Sequence, residues 1–80
     1  MTLYERLKAV VENVKWDIDT YCSDIYVLST PETERIVAEY YKNEGCENMS
    51  THFMDNLTHR RFIEIPFAYQ EYYNQKERSL

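Results

Sequence analysis

The chain has little of the material from which loops and scaffolds are made: one glycine and two prolines in 80 residues. That excludes collagen-like, low-complexity and largely disordered chains. It also excludes a phosphate-cradling loop, which needs several glycines where this sequence has only Gly45. Two cysteines, Cys22 and Cys46, are too few for a disulfide framework. No apolar run approaches the ~18 residues of a membrane span; the longest near the N-terminus is Ile25-Tyr26-Val27-Leu28. Residues 1–15 are amphipathic and charged, unlike a secretion signal. The expectation is a cytoplasmic chain with reduced thiols and no membrane partner. Basic residues are scarce too: 9 Lys and Arg against 14 Asp and Glu leave a net charge of −5. The only adjacent basic pair is Arg60-Arg61, so the basic stripe of a nucleic-acid binder is missing and direct nucleic-acid binding is not expected.

Aromatic residues are plentiful, at 15% of the chain, with eight tyrosines. Their size matters because a domain this short buries only about 60% of its unfolded surface. Ordering it costs on the order of 100 kcal/mol, which nearly all the apolar side chains are needed to offset. Little core is left to line a deep substrate cavity, so the expectation is a single domain over 1–80 that is not an enzyme.

Leu3, Leu7, Val10, Val11 and Val14 recur at helical spacing, and Thr2 with Glu5 makes a capping box in front of them. Residues 16–29 change to an alternating period whose parity slips around Cys22-Ser23-Asp24. This predicts one main strand over 24–29, with 17–21 a shorter extended piece or a loop. Thr30 as cap, Pro31 in the first turn, Ile36, Val37, Tyr40 and Tyr41 as the apolar stripe and Gly45 as the stop predict a second helix. Residues 49–65 read as a hairpin: Met49, Thr51 and Phe53 alternate, Asp55-Asn56-Leu57-Thr58 turns with Asn56 able to take a positive φ, and Arg61, Ile63 and Ile65 alternate up to Pro66. Tyr69, Tyr72, Tyr73 and Lys76 have the spacing of a short final helix over 67–76. The predicted fold is α+β, order α-β-α-β-β, with two or three helices on a three-stranded sheet. Parallel pairing of the first two strands would require a right-handed crossover through the second helix. Leu7, Val11, Ile36, Val37, Phe53 and Ile63 are the expected core.

No catalytic constellation emerges. No serine sits in a nucleophile elbow. Thiol catalysis by Cys22 or Cys46 with His52 or His59 has no supporting spacing, and an acidic chain is a poor setting for a reactive thiolate. The same four residues have zinc-ligand chemistry, but no close Cys or His pair anchors them. Asp17, Asp19 and Asp24 lack the glycine and the twelfth-position glutamate of a calcium loop. No metal or cofactor is therefore expected, and the histidines read as solvent-facing hairpin residues.

Two features could serve binding. Asp17, Asp19, Asp24, Glu32, Glu34 and Glu39 could lie on one side of a small domain, where carboxylates on a rigid frame imitate the phosphates of a duplex. The alternative is an ordinary solvated surface. The tyrosines are too many to bury with their hydroxyls satisfied, and Tyr26, Tyr40 and Tyr72 are the anchors predicted for a partner; the alternative is that they close the rim of the core. In its length, its acidic stretches Asp17-Ile18-Asp19 and Ser29-Thr30-Pro31-Glu32-Thr33-Glu34, and its tyrosine-rich Phe67-Ala68-Tyr69-Gln70-Glu71-Tyr72-Tyr73, the chain resembles small acidic phage- or mobile-element proteins of the anti-CRISPR type. The resemblance implies a stoichiometric inhibitor, a DNA mimic that binds a basic surface on a CRISPR effector complex and blocks its access to DNA. The runner-up is a structural or adaptor module, a homodimer through its sheet edge or tyrosine tail or the partner of another protein.

Overall fold

Thr2 and Glu5 form the capping pair that their spacing predicts. The Glu5 N–H donates to Thr2 Oγ1 at 3.2 Å, and the Thr2 N–H reaches Glu5 Oε1 at 3.4 Å. The helix they start, α1 (Leu3–Val11), buries Leu3, Leu7 and Val11, one residue per turn along a single stripe. The computed structural model describes residues 2–11, 19–21, 24–66 and 68, with 19–21 as strand backbone. Val14, the slip at Cys22-Ser23 and the final helix predicted over 67–76 lie outside the described residues, apart from Ala68, which is buried.

The second helix, α2 (Pro31–Glu44), is delimited by the predicted residues. Thr30 caps it in an extended conformation, and Pro31 opens it. Gly45 ends it at φ 74° and ψ 25°, a left-handed geometry that costs glycine no steric strain. The Gly45 N–H donates to Lys42 O at 3.1 Å and the Cys46 N–H to Tyr41 O at 3.2 Å, satisfying carbonyls the helix leaves open. Ile36, Val37 and Tyr41 are buried, and Tyr40 is half-buried against them.

The fold is α+β, and its main elements follow the predicted order α-β-α-β-β, with one short strand more ahead of the main strand, α-β-β-α-β-β in full. The extended piece expected before the main strand contributes a short additional strand, so the strands are β1 (Asp19–Tyr21), β2 (Asp24–Leu28), β3 (Thr51–Met54) and β4 (Arg61–Ile65). They form an antiparallel sheet ordered β1-β2-β4-β3. Parallel pairing of the strands flanking α2 does not occur. β4 folds back between β2 and β3 and pairs with both, Val27 opposite Ile63 on one side and Phe53 opposite Phe62 on the other.

This order decides which alternating residues are buried. Ile25, Val27, Ile63 and Ile65 lie on the inner face of the two central strands and join Leu3, Leu7, Val11, Ile36, Val37 and Tyr41 of the helices in one core. Leu28 and Phe62, of opposite parity, are buried on the other face. Phe53, expected in the core, is exposed, as is every residue of β3. Its alternation is real, but it lies on an edge strand and on the face opposite the helices. Among the described residues no helix is long and apolar enough to cross a membrane.

Candidate functional site

β3 is an edge, and its backbone pairing defines what the edge presents. The Asp55 N–H donates to Arg60 O at 2.8 Å, so residues 55, 53 and 51 turn their N–H and C=O groups toward β4. Their neighbours His52 and Met54 turn theirs outward. The next outward donor, the Ser50 N–H, is taken by Asn48 Oδ1 at 2.9 Å. Large apolar side chains surround this edge: Met49 is 58% exposed, Phe53 40%, Met54 57% and Leu57 88%. On the outer face Phe53 stacks on Phe62 with ring centroids 5.8 Å apart, and Tyr26 meets the Phe53 ring edge-on at 5.8 Å. Tyr26, Phe53 and Phe62 form a continuous aromatic row that runs from β2 to the sheet margin.

On the helix side the same edge is tied to α2. His52 Nε2–H donates to Glu34 Oε1 at 2.6 Å, and Ser29 Oγ–H donates to the same oxygen at 2.8 Å. Burial raises the Glu34 pKa, but the hydrogen bonds from Ser29 and His52 and the charges of His52 and Arg61 outweigh it, holding the carboxyl below its ordinary value of 4.5. Serine and histidine both address the carboxylate and not each other, so this is an anchoring arrangement without the serine-to-base contact of a nucleophilic triad. The expectation of two solvent-facing histidines holds only in part: both are exposed, but His52 is engaged with Glu34. His59 takes the hairpin's left-handed conformation, at φ 59°, rather than Asn56. Asp55 closes that hairpin through the Thr58 hydroxyl and N–H, which lower its pKa. A shallow open depression of about 180 Å³ is lined by His52, Phe53, Met54 and Arg61. Clefts that bury small ligands run to roughly 300–1,000 Å³.

The residues predicted to bind a partner are spread over several elements. Glu39, on α2, is paired with Arg6 at 3.2 Å and Arg35 at 3.8 Å. Glu34 is held by Ser29 and His52, and Glu32 is exposed in the first turn of α2. Asp24 opens β2 within electrostatic reach of Tyr41, whose pKa is raised by burial, the Cys46 thiol and the Asp24 charge. Asp19 is placed by its backbone opposite Tyr26. Asp17 and Tyr72 lie outside the described residues. Tyr26 stands in the aromatic row at β3, whereas Tyr40 packs on the core with its ring edge-on to Tyr41 at 5.1 Å. Cys46 is an exposed free thiol, and Cys22 lies outside the described residues. Among the described residues no three His, Cys, Asp or Glu side chains gather as metal ligands. Met49, His52, Met54 and Leu57, which complete the edge, do not figure in the predicted binding set. A stretch from Asn48 to Met54 without Lys, Arg, Asp, Glu or Pro is the signal that could have flagged them. No protein-family model, curated protein or solved structure matches the chain.

Proposed function

We propose that the protein acts by binding another polypeptide, not by catalysis, and that its contact surface is the sheet margin at β3. The observation that carries this reading is the exposure of the whole strand, with Phe53 and Met54 uncovered on its opposite faces and Met49 and Leu57 uncovered at its ends. Exposed apolar side chains gathered around an edge with open backbone groups support recognition by strand addition, in which main-chain hydrogen bonds hold the partner and side chains select it. The acidic inhibitor of a basic, nucleic-acid-binding effector is a narrower form of the same reading. Net charge and the exposed Glu32, Glu44 and Glu47 support it. It draws less from Glu34 and Glu39, whose charges are already paired within the fold.

A comparative capture experiment separates the two forms. The tagged parent, a Phe53→Ala/Met54→Ser variant and an Asp24→Asn/Glu32→Gln/Glu39→Gln variant are offered the same cell extract and a separately labelled copy of the chain. Recognition at β3 is expected to lose the bound protein in the first variant and keep it in the second. The reverse pattern would transfer the function to the carboxylates.

A further inference from the structure

The outer edge of β3, unpaired among the described residues, is complementary to itself. Deepening the reading above, we propose that a second copy of this chain docks on it, β3 against β3 about a two-fold axis, making one continuous eight-stranded sheet.

Backbone parity selects the register. Only His52 and Met54 present outward N–H and C=O groups that are not already satisfied by the described residues. Antiparallel pairing of His52 with Met54 of the second copy, and of Met54 with its His52, uses all of them in four hydrogen bonds. Phe53 then sits on the axis opposite its own counterpart, in a non-hydrogen-bonded pair, where Cα atoms approach to ~4.5 Å and side chains meet most closely. The alternatives are poorer. Centring on His52 requires the Ser50 N–H, which Asn48 holds, and sets imidazole against imidazole. Centring on Met54 places Phe53 opposite Asp55.

Charge and shape favour a second copy as the occupant. A two-fold axis brings every charge near it against its own kind, which would penalise a strand bearing Lys or Glu. Met49 to Met54 carries no Lys, Arg, Asp or Glu, so the strand sets no carboxylate, ammonium or guanidinium of its own against its counterpart, and the Glu34 carboxylate beside it is held by Ser29 and His52. Neither proline nor a bulge is present to block pairing, devices by which exposed edges are commonly protected. The row Tyr26, Phe62, Phe53 ends at the edge, and two-fold pairing continues it into the same row of the second copy. Met54, 57% exposed, comes to lie beside the partner's His52.

The test is a charge swap on the axis. Phe53→Lys and Phe53→Glu change an exposed side chain, and circular dichroism with a urea midpoint verifies that each folds. In sedimentation equilibrium at micromolar to submillimolar concentration the parent is expected at twice the chain mass of 9.7 kDa. Each variant alone is expected to dissociate at least about tenfold more readily, and an equimolar mixture to recover the dimer. Met54→Pro removes an outward N–H without cutting the β3–β4 ladder and is also expected to yield monomer. A parent that stays monomeric throughout overturns self-pairing. If that monomer still captures a different protein through β3, the binding reading survives and the occupant is a foreign strand. A parent dimer that both charge variants retain places the interface elsewhere and overturns the proposal as well.

Discussion

Thr33 and Tyr41 both bury a hydroxyl, with opposite consequences. Thr33 Oγ1 accepts the Thr30 N–H at 2.8 Å and donates to Leu28 O at 2.7 Å, so one side chain completes the cap of α2 and fastens it to the end of β2. The Tyr41 hydroxyl is buried with no hydrogen-bond partner among the described residues. Replacing Thr33 by the isosteric valine leaves both backbone groups without their partner and is expected to cost about 1–3 kcal/mol. Tyr41→Phe removes only an unsatisfied group and is expected to be neutral or stabilising by up to about 1 kcal/mol. Urea unfolding with unchanged m-values reads both, and a Thr33→Val protein as stable as the parent would refute the role given to this cap. The sequence announces Thr30 but not Thr33, because the third position of a capping box is usually Glu or Gln and a threonine there looks like surface.

At the scale of elements, α1 and β3 are both amphipathic strings, yet their apolar residues have different fates. Leu7 lies in the core shared with α2 and the central strands, whereas Phe53 lies on the outer face at the margin. Leu7→Ala is expected to cost about 2–5 kcal/mol, a large share of the stability of so small a domain. Phe53→Ala loses part of a ring stack and is expected to cost less than about 1.5 kcal/mol in the dissociated chain. Thermal melts at low protein concentration compare the two without any contribution from association, and equal losses would mean that β3 is covered after all.

For the whole molecule, Glu34 is the point at which the α2 start, Ser29 before it and β3 are tied together. Its folded pKa lies below the ordinary 4.5. A depressed carboxyl pKa stabilises the folded state at pH values above the unfolded value, and the contribution is lost as pH falls through the folded one. The parent is therefore expected to exceed Glu34→Gln in stability at neutral pH, with the gap closing below about pH 4.5 as Glu34 takes up its proton. Urea midpoints from pH 7 to pH 3 measure the gap. A gap that does not change with pH would mean that the charge on Glu34 contributes nothing to the tie. Asp55 titrates in the same direction through its Thr58 contacts but is present in both proteins and cancels in the comparison.

Local physics made much of this protein legible in its sequence. Capping residues and 3.6-residue periodicity place the start of both helices, and the lone glycine the end of α2, because each acts within a turn or two of chain. Alternation identified the strands and the hairpin because side chains on a strand change face at every residue. What alternation cannot convey is which strands end up in the middle. Ile63 and Phe53 belong to equally convincing patterns, but β4 is inserted between β2 and β3, so Ile63 is sealed under the helices and Phe53 is left at the margin. The acidic residues were likewise visible as charge but not as partners, since the pairing of Glu39 with Arg6 and of Glu34 with His52 joins residues far apart in the chain. Strand order and long-range pairing are properties of the packed chain. They placed the candidate surface at the β3 edge, where outward-facing backbone groups and uncovered apolar side chains coincide.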